Sequence, residues 1–206
     1  MKLVRYIFLL GLFYMLILLF GCGPKSVTTD YQDLKSTSKS WIPFNGNESV
    51  VFEYDSSTMV FTGAGIEKYY DYVRHTTDQS GFFNVQKDYY AYLERQKLVF
   101  ESPSTDYFIT YFLERDKGDT GDWDIFRVSV GDGIYYGSEM KIVTYESDNY
   151  DKGERYSFKE TVTLNGKVFN NVYFLKQERR PFEIYYTQQQ GIVAFKLSAL
   201  ETWTIK

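Results

Sequence analysis

The sequence has one cysteine, one histidine and four prolines in 206 residues. A lone cysteine excludes an intrachain disulfide framework and any cysteine-based zinc site. A lone histidine excludes a His-rich metal centre and a pair of imidazoles acting as acid and base. That histidine, His75, ends a strand-like run over 69–75, and no glycine-flanked serine elsewhere forms a nucleophile elbow. Basic clusters are also missing. Lys and Arg number 23 against 27 Asp and Glu, a net charge of −4, so nucleic acid has no electrostatic reason to bind. No stretch after Gly23 carries a long helical period with caps. What is abundant is aromatic: 19% of residues are Phe, Tyr or Trp, within a 44% hydrophobic and 24% charged composition that lies in the globular range.

The apolar residues are unevenly spread. Lys2 and Arg5 precede an uncharged run over 6–20, which as a helix would span about 22 Å, short of a hydrocarbon core of about 30 Å. A basic start, a short apolar run and a small residue before a cut describe a secretory signal. The only cysteine stands where the cut would fall. Leu19-Phe20-Gly21-Cys22 resembles the lipobox of bacterial lipoproteins, with Phe20 a departure from the smaller residues usual at the second position. The resemblance implies cleavage before Cys22 and lipid on its sulfur and its new amino group, with palmitate among the acyl chains. Several acyl chains on one residue hold a soluble domain at a membrane where one chain would not. Loss of residues 1–21 removes Lys2 and Arg5 and takes the net charge from −4 to −6. Gly23 in place of an inner-membrane retention Asp, and Lys25 in place of an acidic export signal, imply the outer membrane and a periplasm-facing domain.

The Ser, Thr, Lys and Asp content that follows reads as a flexible tether. The predicted organisation is therefore a signal peptide over 1–21, a lipidated tether over 22–40 and a single β domain over 41–206. Within the domain the dominant pattern is alternation. Tyr107, Ile109, Tyr111 and Leu113 share one face of a strand, and Tyr156, Phe158, Val162 and Leu164 repeat the pattern. Asn165-Gly166 suits a two-residue type I′ hairpin turn, after which Val168, Val172 and Phe174 continue a face that Asn170 interrupts. Further strands are predicted at 49–54, 58–62, 67–74, 89–102, 123–130, 140–146, 182–188, 191–197 and 201–205, with turn-forming clusters between most of them. The fold class is all-β: an antiparallel meander forming a twisted sheet or open barrel.

Tyr185, Tyr186, Gly191, Ile192, Val193, Phe195 and Trp203 resemble the terminal strands of small exported lipoproteins of the Bacteroidota, and Trp41-Ile42-Pro43-Phe44, followed by Gly46 and the Val50 strand, is a second small part of that resemblance. That resemblance implies an antiparallel β lipoprotein and carries over no catalytic residue. Two features bear on chemistry. Asp116, Asp119, Asp122 and Asp124 lie within nine positions, interleaved with Gly118 and Gly121. They offer closely spaced oxygens for calcium, although the spacing is not that of an EF-hand and equally suits a solvated hairpin loop. The paired tyrosines Tyr135-Tyr136 and Tyr185-Tyr186 would each send one ring to either face of a sheet, where outward rings stack on sugars, anchor a partner, or form cross-strand pairs.

The expected function is non-enzymatic: a membrane-anchored envelope lipoprotein whose β domain serves binding or structural interaction, through a protein or glycan partner and without a cofactor. The alternatives are a carbohydrate- or calcium-binding surface module and a carboxylate-dependent glycoside hydrolase, which would need two carboxylates facing each other across a cleft.

Overall fold

The computed structural model describes residues 27–79, 85–117, 121–132, 139–147, 151, 153–177 and 181–206. The chain is all-β. Its strands are β1 (Val27–Gln32), β2 (Ser49–Tyr54), β3 (Ser57–Gln79), β4 (Val85–Glu101), β5 (Tyr107–Lys117), β6 (Asp122–Asp132), β7 (Glu139–Glu146), β8 (Ser157–Leu164), β9 (Lys167–Lys176), β10 (Glu183–Thr187), β11 (Gly191–Lys196) and β12 (Thr202–Ile205), with one short helix, α1 (Ser36–Lys39). Two compact units are distinguished. The smaller joins Met1–Asp30 to Val73–Ala91, and its described part is the start of β1 and the continuations of β3 and β4. The larger, Tyr31–Tyr72 with Tyr92–Lys206, carries the features described below.

The strand order is β7-β6-β5-β4-β3-β2-β12-β11-β10-β9-β8, with β1 paired to β4 off this path. Two antiparallel meanders thus meet where β2 pairs with β12, Phe52 opposite Ile205 and Glu53 opposite Thr204. The order dictates the curvature. A flat sheet of eleven strands would separate its edges, β7 and β8, by about 48 Å. Yet Arg155 forms an antiparallel bridge to Lys141 of β7, with N–H to O distances of 2.9 and 3.4 Å, and β8 begins two residues later, a reach of about 7 Å at most. The edges therefore converge at this end, and the sheet curls into a half-barrel.

Most predicted strands appear within a residue or two of the expected bounds. The separate strands expected at 58–62 and 67–74 are one strand, β3, which runs on through Gly63-Ala64-Gly65 because Gly65 takes a positive φ of 95°, open to glycine, without breaking the strand. A Cβ on Gly63 would sit 2.2 Å from the Gly46 carbonyl oxygen, so the glycine there serves a close crossing of the 44–46 loop. At the tip of β8–β9, Asn165 and Gly166 both have positive φ, 48° and 79°, as the type I′ turn requires. The stretch read as a tether also differs: β1 and α1 lie inside it, and Leu34 is buried.

Residues 34–46 lie in the concave face of the half-barrel and complete its core. Leu34 and Ile42 join Phe52, Phe61, Phe100, Tyr111, Phe126, Tyr186 and Phe195 in one buried cluster, with Trp41 and Phe44 packed against it. The Trp41 ring stacks on Tyr186 (centroids 5.9 Å apart, planes 8° apart) and meets Phe126 and Tyr173 at 5.6 and 5.0 Å. Phe44 packs edge-on to Phe100 at 4.9 Å. A second, smaller cluster of Phe169, Val172 and Val193 gathers Val162, Leu164 and Tyr185.

Gly191 opens β11 at φ +76°, and a Cβ there would lie 2.7 Å from the Phe44 ring and 2.8 Å from the Tyr111 hydroxyl. The missing side chain is what lets Phe44 seat. Gly191→Ala therefore combines left-handed strain with a clash against packed rings. It is expected to cost at least about 2 kcal/mol, read as a fall in Tm of at least about 4 °C. Gly166→Ala is the control: φ is also positive, but no atom lies within 4 Å of the added Cβ, so only the strain of about 1–2 kcal/mol remains. Equal losses of Tm in the two variants would show that the Phe44 contact is not what Gly191 provides.

Candidate functional site

Alternation places the side chains of β4 to β7 on two faces, and ion pairs occupy both. On the inner face Glu94 Oε2 accepts the Leu34 N–H at 2.8 Å and pairs with the Lys39 ammonium at 2.8 Å, while Glu94 Oε1 accepts from Gln96 at 2.8 Å. Burial pushes the Glu94 carboxyl upward, but Lys39, Gln96 and the Leu34 amide outweigh it and hold the pKa below the ordinary carboxylate value. Asp124, with no exposed surface, accepts from the Lys35 N–H at 2.8 Å and from Arg115 at 2.9 Å. On the outer face a ladder of alternating sign runs across five strands. It passes from Asp71 to Arg95 (3.5 Å), from Arg95 to Glu114, then to Arg127 (2.5 Å) and Glu139 (2.7 Å).

This disposes the acidic group as follows. Arg115 is opposite Asp124, Asp116 opposite Trp123 and Lys117 opposite Asp122. Directly paired residues share a face and neighbours along a strand do not, so Asp116 faces away from Asp122 and Asp124. Asp122 pairs with Arg115 at 2.9 Å, and Asp116 accepts the Lys117 N–H at 2.8 Å. Asp119 lies outside the described residues. Among the described residues no group of three potential ligands could hold a metal ion.

The tyrosine pair 185–186 divides between faces as alternation predicts. Tyr186 is fully buried and donates its hydroxyl to the Trp41 carbonyl oxygen. Tyr185 stacks on Phe174 at 6.0 Å and donates to Glu183 at 2.6 Å. Burial and the Glu183 carboxylate both raise the Tyr185 pKa. Both hydroxyls are committed inside the fold. Tyr135, Tyr136 and Cys22 lie outside the described residues, and His75 is a residue of β3.

The site that sequence reasoning missed lies where β9 leaves β10. Their register ends at Tyr173 opposite Tyr186, while β9 continues to Lys167 with β8 alone. Asn171, at φ +53°, lies at the departure. Phe169 and Val172 are three residues apart and would face opposite ways in a regular strand, yet both join the same cluster. The positive φ between them resets the alternation. The hairpin tip is then tied to β2 and β12: Lys167 donates to Glu53 at 2.8 Å and to the Ile205 carbonyl at 2.6 Å, and Asn165 to the Thr202 carbonyl at 2.7 Å.

The divergence leaves a groove of about 560 Å³ beside the β10–β11 turn, in the size range of ligand sites. Its wall is Phe158, Val168, Phe169, Asn170, Asn171 and Tyr173 on one side and Thr187, Gln188, Gln189 and Gln190 on the other. Phe158 is 47% exposed. Its ring meets Tyr173 at 5.2 Å, and Tyr173 in turn meets Trp41, so the aromatic floor is continuous with the core. Tyr173 is the one ionisable residue of the wall, and burial raises its pKa. Gln188 is steadied by a 2.8 Å bond to Ser40, and Asn170 accepts from Thr161 at 3.2 Å. In the sequence the traces of this site are Asn170, which interrupts an apolar face, and the run of three glutamines before Gly191.

Two expectations follow for the inner carboxylates. Asp124→Ala leaves the Arg115 guanidinium, whose side chain is 5% exposed, with Asp122 as its remaining carboxylate and the Lys35 N–H without its acceptor, and should cost about 3 kcal/mol. Asp122→Ala removes a half-exposed partner and should cost about 1 kcal/mol or less. Chemical denaturation distinguishes the two, and equal losses would disprove the buried-pair account. Because the folded Glu94 pKa lies below its unfolded value, its contribution is present above about pH 4.5 and is lost as pH falls through the folded value. Glu94→Gln should lower Tm at pH 7 and flatten the acid limb of the Tm–pH curve; an unchanged limb would show that another group governs it. No family model, curated protein or solved structure matches this chain.

Proposed function

We propose that the chain is a lipid-anchored protein of the bacterial outer membrane, held through Cys22 and facing the periplasm, and that its β domain works by binding and not by catalysis. The groove wall carries the reading. The buried carboxylates Glu94, Asp124 and Glu183 are spent on backbone amides, cations or a hydroxyl within the fold. The groove is lined by amides, a threonine hydroxyl, aliphatic surface and rings. Such a wall holds a ligand by hydrogen bonding and stacking and contributes no group that exchanges a proton near neutral pH.

The anchor reading rests on the lipobox-like residues 19–22, and the start of β1 at Val27 supports it. Five residue steps separate Cys22 from Val27, at most about 17 Å of chain. A lipid on Cys22 would keep the first strand close to the headgroups.

Expression in a bacterium fed an alkyne-labelled palmitate, followed by detergent phase separation, tests the anchor. The full chain is expected to carry label and enter the detergent phase, and Cys22→Ser to lose the label and move to the aqueous phase. An unlabelled Cys22→Ser protein that still enters the detergent phase would overturn the assignment.

A further inference from the structure

We infer that the β9–β10 groove is a binding site for a neutral glycan, a chain of uncharged sugar rings. This rests on the binding reading above and names the ligand class. Three observations carry it. First, the wall holds no carboxylate, ammonium or guanidinium group, so a charged ligand would lose hydration without gaining a partner. Second, Asn170, Asn171, Gln188, Gln189 and Gln190 place side-chain amides around one groove. Each amide offers donors and an acceptor from one planar group, which matches sugar hydroxyls that donate and accept from adjacent carbons. Among the described residues the side chains of Asn171, Gln189 and Gln190 have no hydrogen-bond partner, so their capacity is available. Third, Phe158 is 47% exposed beside Tyr173. A ring held by its neighbours and open on one side suits the C–H face of a pyranose, which stacks on apolar π surface while its hydroxyls point to the flanks.

Two other occupants fit less well. An apolar cargo would bury the amides of Asn171, Gln189 and Gln190 without partners, at a cost for each. An extended peptide would add to a strand edge by continuing its ladder, but β9 bends at Asn171 through positive φ, so the groove-side edge offers no regular register. The concave face of the half-barrel is taken by residues 34–46 of the chain itself, whereas this groove stands open.

The groove is also braced. Gln188 bonds to Ser40, next to Trp41, and Tyr173 packs on Trp41. Its two walls are therefore tied to one core element, so the ordering left to oppose binding is that of the unpartnered amide side chains.

The test uses the full chain in detergent micelles. Affinity electrophoresis is run through gels containing neutral polysaccharides of glucose, galactose, mannose, xylose or N-acetylglucosamine, with polygalacturonate as the acidic control. At least one neutral polymer is expected to retard the protein and polygalacturonate is not. Gln189→Ala changes an exposed side chain and should leave the melting curve unaltered, Phe158→Ala gives up a half-exposed ring's contact with Tyr173 and should lower Tm by only a few degrees, and each should weaken retardation at least about tenfold. Retardation by none of the neutral polymers, retardation by polygalacturonate alone, or retardation unaffected by both variants would each overturn the proposal. Selection of a peptide from a displayed library that Phe158→Ala abolishes would overturn the glycan assignment while upholding the groove as a binding site. Failure of the anchor appears separately, in the partitioning of Cys22→Ser.

Discussion

An eleven-strand sheet whose two edge strands are joined directly along the chain has to curl, and curling leaves a concave face that no second sheet covers. Here residues 34–46 cover it. Trp41, Ile42 and Phe44 supply the apolar part, where each large buried side chain contributes about 1.5–3 kcal/mol. Glu94 and Asp124 supply the polar part by accepting the Leu34 and Lys35 amides. Buried carboxylates are costly unless fully paired, so this arrangement also fixes position. A slip of one residue would leave two charges facing the wrong backbone groups. The segment is thus registered against β4 and β6 by hydrogen bonds and against β5, β10 and β11 by rings.

Charge outside that contact is handled differently. The outer-face ladder from Asp71 to Glu139 grades from exposed to buried and back, with side chains 56% exposed at Asp71, 10% at Arg95, 11% at Glu114 and 42% at Glu139. Cross-strand pairs of opposite sign favour one register of β4, β5, β6 and β7. The free edge of β7 is met by Arg155 and by Glu154, whose carboxylate accepts the Val143 N–H at 3.0 Å. That limits the edge's availability for unwanted pairing.

The groove follows from the same economy of packing. Once β9 has delivered Tyr173 to the core, its remaining apolar residues reach the second cluster only if the strand turns over, and Asn171 makes that turn. Asparagine tolerates the left-handed region better than most side chains. The gap left beside β10 is lined by amides from β9 and from the β10–β11 turn together with the exposed Phe158 and Val168, which neither cluster takes up.

Sequence alone determined most of the strands, the type I′ turn at Asn165-Gly166 and the division of Tyr185 and Tyr186 between faces, since period-two alternation and turn chemistry act over a few residues. The lipobox-like end at Cys22 is equally local. Tertiary structure decided the rest. Gly63-Ala64-Gly65 resembles a break until the crossing loop at Gly46 is in place. Residues 27–40 read as a tether because their polar composition hides one buried leucine and two backbone amides awaiting carboxylates some 60 and 89 positions away. Asp122 and Asp124 resemble loop ligands until the β5–β6 register brings Arg115 within ion-pair distance of both. The groove joins residues from β8, β9 and the β10–β11 turn that no spacing relates, because a positive φ at one asparagine, and the core that rewards it, decide where β9 goes.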